Sequence, residues 1–185
     1  LDSAADRVGK DLTDQPEVEA ELRTTIGMVY KFIGSYDESE AMHRAALRLR
    51  RKLFGNENTL VTESLYNLGD TLISRQNALL TDRRQLAEAE SLFREALATQ
   101  RKVLGNEDPY VPQAMVNLAN VLGMQGKKTE AEALHREALA MRRKRGGSAE
   151  LAWSLYCLAG FLYYEGRYAE AEPLAREALK IRRWR

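Results

Sequence analysis

Four segments of this chain repeat nearly the same ten residues: 38–47, 88–97, 130–139 and 170–179, each reading Glu-x-Glu, then a central Arg, then a closing Ala-Leu. Self-similarity of this kind restricts a chain to a stacked array, because one unit cannot bury its apolar face without neighbours. A stack presents an extended surface rather than a catalytic pocket. Function is therefore to be sought in what that surface grips.

Each copy has an upstream partner segment, marked by Ile26-Gly27, Leu68-Gly69, Leu118-Ala119 and Leu158-Ala159. The interval from that apolar residue to the Glu of its copy is 12 residues in units one, three and four and 20 in unit two. Unit two thus carries an eight-residue insertion, near residues 76–84. Copies are spaced by 50, 42 and 40 residues, which gives an underlying period of about 42. Both segments of a unit read as helices: Met115, Leu118, Ala119 and Leu122 recur at three- and four-residue steps, as do Ala131, Leu134, Ala138 and Met141 after Gly126. Ala, Leu, Glu and Arg, all strong helix formers, dominate every second helix. Gly55-Asn56-Glu57, the run from Gly105 to Pro109 and Gly146-Gly147 supply stops and restarts between units.

Small residues recur in register: Gly27, Gly69, Ala119 and Ala159 in the first helices; Ser39, Ala89, Ala131 and Ala171, then Ala46, Ala96, Ala138 and Ala178, in the second. A larger side chain there would force the paired helices apart, so these are packing positions. The expected organisation is a single domain, 1–185. A helix in 1–15, with Ala4, Ala5, Val8 and Leu12 on one stripe, precedes repeats at 16–57, 58–107, 108–147 and 148–185.

The pattern Asn-Leu-Gly/Ala, then Gly, then Glu-Ala-Glu-x-Leu-x-Arg-Glu-Ala-Leu, then Arg-Lys-x-Leu-Gly-Asn-Glu-Asp-Pro resembles the tetratricopeptide repeat in the 42-residue form found in kinesin light chains. The resemblance covers about residues 16–185. It implies an all-α fold, a right-handed superhelical α-solenoid of four helix pairs with an N-terminal packing helix. HEAT or armadillo arrays have similar periods but would not be expected to keep the Gly/Ala positions.

Catalytic and metal chemistry lack an inventory. His43 and His135 occupy equivalent positions 92 residues apart, where the other units have Phe93 and Ala175, and so read as packing residues. No serine, nor the single Cys157, has a His/Asp neighbourhood of its own, and the segment 123–126 is a helix-to-helix turn rather than a phosphate loop. The expectation is a non-enzymatic protein without metal or cofactor. With 28 basic and 27 acidic residues the net charge is +1, too weak a field for nucleic acid. No apolar run is long enough to span a membrane, so membrane contact is not expected. A lone cysteine favours a reducing compartment, and a cytoplasmic location is expected.

Charge is organised along each second helix, acids first and bases last, which complements the helix dipole. Stacking would also align the basic ends, Arg50, Arg51, Arg101, Lys102, Arg142, Arg143, Arg182 and Arg183, as an edge able to steer an acidic partner. Spacing puts Glu63, Asn67 and Asp70, then Gln113, Asn117, Asn120 and Met124, then Trp153, Tyr156 and Tyr164 on the non-core side of the first helices, the concave face of the expected solenoid. The resemblance implies that Asn67 and Asn117 hold a bound peptide's backbone through both amide functions. Thr25 and Cys157 replace them in units one and four, so this ladder has two rungs. The aromatic residues of unit four suit either a binding surface or the end of a stack, with end-to-end self-association through repeat 4 as a further option. In the insertion, Leu79 and Leu80 would fold back on the repeat or form a docking knob.

Two functional classes remain. One is an adaptor similar to the kinesin-light-chain-like proteins of bacteria that accompany bacterial tubulin, with an acidic filament surface or a peptide segment as partner. The other is the repeat region of a multidomain bacterial serine/threonine kinase or other signalling protein. The adaptor is preferred because it needs no separate catalytic domain.

Overall fold

A computed structural model describes residues 2–78, 82–146 and 148–183. The described residues form helices α1 (Asp2–Asp11), α2 (Pro16–Phe32), α3 (Tyr36–Phe54), α4 (Thr59–Ala78), α5 (Arg83–Leu104), α6 (Val111–Met124), α7 (Lys128–Arg145), α8 (Ser148–Tyr164) and α9 (Tyr168–Arg183). No strand occurs among them. The helices group into two compact units, Leu1–Asn106 and Glu107–Arg185.

Both units follow one plan. In the first, α2 pairs with α3 and α4 with α5, α3 packs on α4, and α1 lies against α2. In the second, α6 pairs with α7 and α8 with α9, and α7 packs on α8. First helices also meet directly, α2 with α4 and α6 with α8.

Three of the hairpins turn in the same way. Ser35 N–H donates to the Tyr30 carbonyl (2.9 Å), Lys127 N–H to that of Leu122 (2.9 Å) and Arg167 N–H to that of Leu162 (2.9 Å). Gly34, Gly126 and Gly166 precede these donors with φ of 83, 78 and 76°. This is the left-handed helix stop that satisfies the last carbonyls of a helix, and only glycine adopts it without strain.

The hairpin of α4 and α5 differs because the insertion is spent on helix. Helix α4 has 20 residues against 17 in α2, and α5 has 22 against 19 in α3. The start of α5 is capped by Asp82, whose side chain accepts from Arg84 N–H at 2.8 Å. The expectation that Leu79 and Leu80 fold back or form a knob concerns residues outside the described ones.

Two recurring positions prove to be partners. A Cβ placed on Gly27 would lie 2.7 Å from the His43 ring, and one on Gly69 would lie 2.7 Å from the Phe93 ring. Each hairpin of the first unit is thus closed by a ring laid directly on the backbone of the opposing helix. Ala46, Ala89, Ala96, Ala131 and Ala138 are wholly buried at the other small positions. In the last hairpin Leu155, Leu158 and Leu162 pack with Leu139, Ala171 and Ala178, bordered by Phe161 and Leu174.

Two glycine substitutions separate packing from propensity. Gly69→Ala, meeting Phe93, is expected to lower unfolding free energy by about 1–3 kcal/mol. Gly160→Ala, in α8 with nothing within 4 Å, should leave it unchanged or raise it by up to about 1 kcal/mol. Urea denaturation midpoints decide, and equal effects at the two sites would refute the close-approach account.

Candidate protein-binding surface

The first helices carry most of the side chains expected to bind, but the two units spend them differently. In the first unit, Asp70 of α4 is ion-paired with Lys31 of α2. Glu63 lies 3.3 Å from Arg50, and Asn67 is half-buried. Two of these three polar groups therefore tie helices together.

In the second unit the face is amide and aromatic. Gln113 Nε2 donates to Asn117 Oδ1 (3.0 Å), and Asn120 is half-buried while Met124 is exposed. Trp153 and Tyr156 of α8 stack with ring centroids 5.7 Å apart, and the Arg182 guanidinium sits 6.0 Å from the Tyr156 centroid. Tyr163 meets Tyr164 (5.8 Å) and Tyr168 (5.2 Å) edge-on. Tyr163, Tyr168, Tyr156 and Gly160 border an open hollow of about 400 Å³. Rings of this kind bury large area with few rotors, which suits protein recognition.

Two members of the basic edge expected from the sequence are corrected. Arg50 and Arg142 are buried. Arg50 donates to the Leu60 carbonyl (3.0 Å) and Ser64 Oγ (2.9 Å); Arg142 donates to the Glu150 carbonyl (2.8 Å) and Ser154 Oγ (2.7 Å). Each clamps the end of one hairpin to the start of the next. Arg51 pairs with Glu95 (2.6 Å), Arg143 with Glu177 (2.6 Å) and Lys102 with Glu57 (2.5 Å). Arg44 grips Glu88 with two bonds (2.6 and 2.8 Å), and Arg136 lies 3.4 Å from Glu170. The spacing that aligns the bases also aligns the next hairpin's acids beside them, so within each unit the charges neutralise one another across hairpins. Arg101 is half-buried and Arg182 lies over Tyr156, while the Arg183 side chain is outside the described residues. Sequence reasoning missed the clamp serines, although Ser64 and Ser154 hold equivalent register positions opposite Arg50 and Arg142.

The histidines sit inside hairpins. Both are about 1% exposed, and neither ring nitrogen of His43, nor Nδ1 of His135, has a hydrogen-bond partner. Burial holds each imidazole near pKa 4 against an ordinary 6.5. For His43 the nearby Lys31 and Arg50 charges add to this, and Asp70 opposes it. Burial likewise pushes the Cys157 thiol up to about 11, with Arg142 opposing, so a reactive thiolate is disfavoured. Among the described residues no three His, Cys, Asp or Glu side chains group as a metal site, and no helix is long and apolar enough to cross a membrane.

Paired helices repeated in register, closed by small-against-large contacts and faced with amides and rings, define a helical-repeat protein. The chain matches family models described as tetratricopeptide repeat over residues 18–78, 77–144 and 151–183, and it belongs to that family. Among curated proteins no match is found. Solved structures share the fold. BtubC (BKLC) from P. vanneervenii is 22% identical with a TM-score of 0.75, over 91% of this chain and 65% of that one. The putative kinesin light chain of P. anserina with nearly identical TPR-like repeats is 19% identical with a TM-score of 0.71, over 98% of this chain and 86% of that one. MamA is 16% identical with a TM-score of 0.63, over 98% and 88%. The chain thus spans just under two thirds of the length of BtubC.

Because both histidines are neutral when folded and bind a proton near pH 6.5 when unfolded, acid favours the unfolded chain. Their contribution is complete above pH 6.5 and is lost as pH falls from 6.5 toward 4, by up to about 3 kcal/mol per residue. Replacing both by phenylalanine, the residue that unit two already has at this position, should flatten the urea midpoint between pH 7 and pH 4.5. An unchanged slope would show that these rings are not the titrating groups.

Proposed function

We propose that this chain is a non-catalytic adaptor that binds a partner protein through the first-helix face of its second unit. The supporting observation is the contrast between the units. In the first, Asp70 and Glu63 are engaged in helix-to-helix pairs; in the second, Trp153, Tyr156, Tyr163 and Tyr164 are exposed, and the first helices also carry the half-buried amides of Gln113, Asn117 and Asn120. The family's fold is that of a protein-interaction scaffold, which supports this reading.

The partner we favour is a protein filament, bacterial tubulin being the specific candidate. Likeness to BtubC (BKLC) and to a putative kinesin light chain with TPR-like repeats supports that choice. Steering by a free basic edge is not part of this reading, since Arg51, Arg143 and Lys102 are committed to internal pairs.

Co-sedimentation with assembled bacterial tubulin tests it. The protein should pellet with filaments, and Tyr156→Ala or Asn117→Ala should weaken pelleting by about tenfold, in line with the loss of an interface hot spot. Arg143→Gln, which breaks an internal pair, should leave pelleting unchanged. Folded protein that stays in the supernatant at low salt would dismiss the filament partner.

A further inference from the structure

Helices α4 and α8 each dock on the hairpin before them, and they do so through the same register positions. In α4 these are Leu60, Ser64, Thr71 and Arg75. Arg50 donates to the Leu60 carbonyl and to Ser64, Thr71 Oγ1 lies 3.1 Å from Ser39 Oγ, and Arg75 pairs with Asp37. In α8 they are Glu150, Ser154, Phe161 and Glu165. Arg142 donates to the Glu150 carbonyl and to Ser154, the Phe161 and His135 ring centroids are 5.6 Å apart, and Glu165 pairs with Lys128 at 2.7 Å.

In α2 and its C-cap the same positions hold Val18, Leu22, Val29 and Ile33. All four are exposed, although α1 lies against α2. A stripe that elsewhere seats one hairpin on another is here apolar and open. The receiving side of the last hairpin is open as well. Leu139 of α7 packs with Leu155 and Leu158 of α8 and is 4% exposed, whereas Leu179, at the same position of α9, is 56% exposed. Arg182, the counterpart of Arg142, is turned over Tyr156.

The two open faces match position by position. Tyr168 stands where α7 has Lys128, so the ion pair of Lys128 with Glu165 has an apolar counterpart in Tyr168 with Ile33. Phe161 lies against the His135 ring and 3.5 Å from where a Cβ on Gly123 would be. The counterparts are the smaller Val29, the smaller Ala175 and the larger Tyr163, an exchange that roughly conserves volume. Where Arg136 faces Glu170, the counterparts are Arg176 and the exposed Glu38.

We propose that the last hairpin of one copy receives the first hairpin of a second copy, joining identical chains head to tail in the way that α6 and α7 receive α8 and α9. The contact is heterologous: each copy offers two different faces, so joining continues into a ring or a fibre instead of stopping at a symmetric pair. A second copy fits better than an unrelated helix because the ion pair has become apolar on both faces at matching positions. This inference goes beyond the adaptor reading, and neither Ile33 nor Tyr168 belongs to the surface assigned to the filament.

Sedimentation velocity of the full chain tests the joint. Weight-average mass should rise with concentration. Ile33→Glu and Tyr168→Glu each place an unpaired charge in one face of the joint, and each should weaken joining about tenfold or more. Mixed in equal amounts, the two variants should form a dimer with one copy of each and nothing larger, because each copy keeps only one intact face. Ile33→Glu combined with Tyr168→Lys in a single chain rebuilds the internal ion pair between copies and should restore joining. Ile33 and Tyr168 are 57% and 60% exposed, and urea midpoints verify that the variants fold. A mass that does not change with concentration, single variants that join as the parent does, a mixture that stays monomeric or a double variant that fails to join would each overturn the proposal. Pelleting of the same variants with filaments is a separate readout, so loss of the joint and loss of the filament partner are told apart.

Discussion

The closeness of the two helices within each hairpin is the constraint from which the remaining architecture follows. In the first unit a ring of the second helix rests on a glycine of the first, at a separation that leaves no room for a Cβ. Once the helices are that close, the leucines flanking the glycine, such as Leu65, Leu68 and Leu72, are sealed from water, and burial of apolar area stabilises the hairpin. The ring can be His or Phe because the site requires shape and not a hydrogen bond. That is why His43 tolerates a position at which neither nitrogen is satisfied, at the cost of staying neutral.

Hairpins are then joined by charge rather than by apolar area alone. Arg44 to Glu88 and Arg51 to Glu95 link α3 to α5; Arg136 to Glu170 and Arg143 to Glu177 link α7 to α9. Single pairs at such exposure contribute little, about 0–1 kcal/mol each, but a pair at a fixed seven-residue interval specifies register. The buried clamps of Arg50 on Ser64 and of Arg142 on Ser154 reinforce it from inside. The second helices therefore consume their own charge, and in the second unit it is α8 that keeps exposed rings, Trp153, Tyr156, Tyr163 and Tyr164.

Fold was legible in the sequence because it depends on spacing. The small residues, the hairpin glycines and the helical stripes all depend on position along one chain, and the structure puts helices at those positions. The candidate site was legible only in part. Trp153, Tyr156 and Tyr164 were found on the exposed side of their helix because a surface position follows from periodicity alone. The internal partners of the basic edge were not legible because pairing depends on a second helix arriving some 34 to 44 residues later, as in Arg143 with Glu177 and Arg51 with Glu95. A list of arginines says nothing about which acids come to lie beside them. The burial of Arg50 and Arg142 was hidden for a related reason: serine acceptors leave no charge signature in the sequence.

The lengthened hairpin of the first unit has a steric consequence. With α4 and α5 each three residues longer than their counterparts α2 and α3, the rim at their turn stands about 4.5 Å higher than its neighbour, at 1.5 Å per helical residue. A flat lattice laid against that rim would meet a step and stand off from the lower hairpin, whereas a groove or a seam between subunits could admit it. The extra helical turns thereby set the contour that a surface must have to seat flush against this end of the unit.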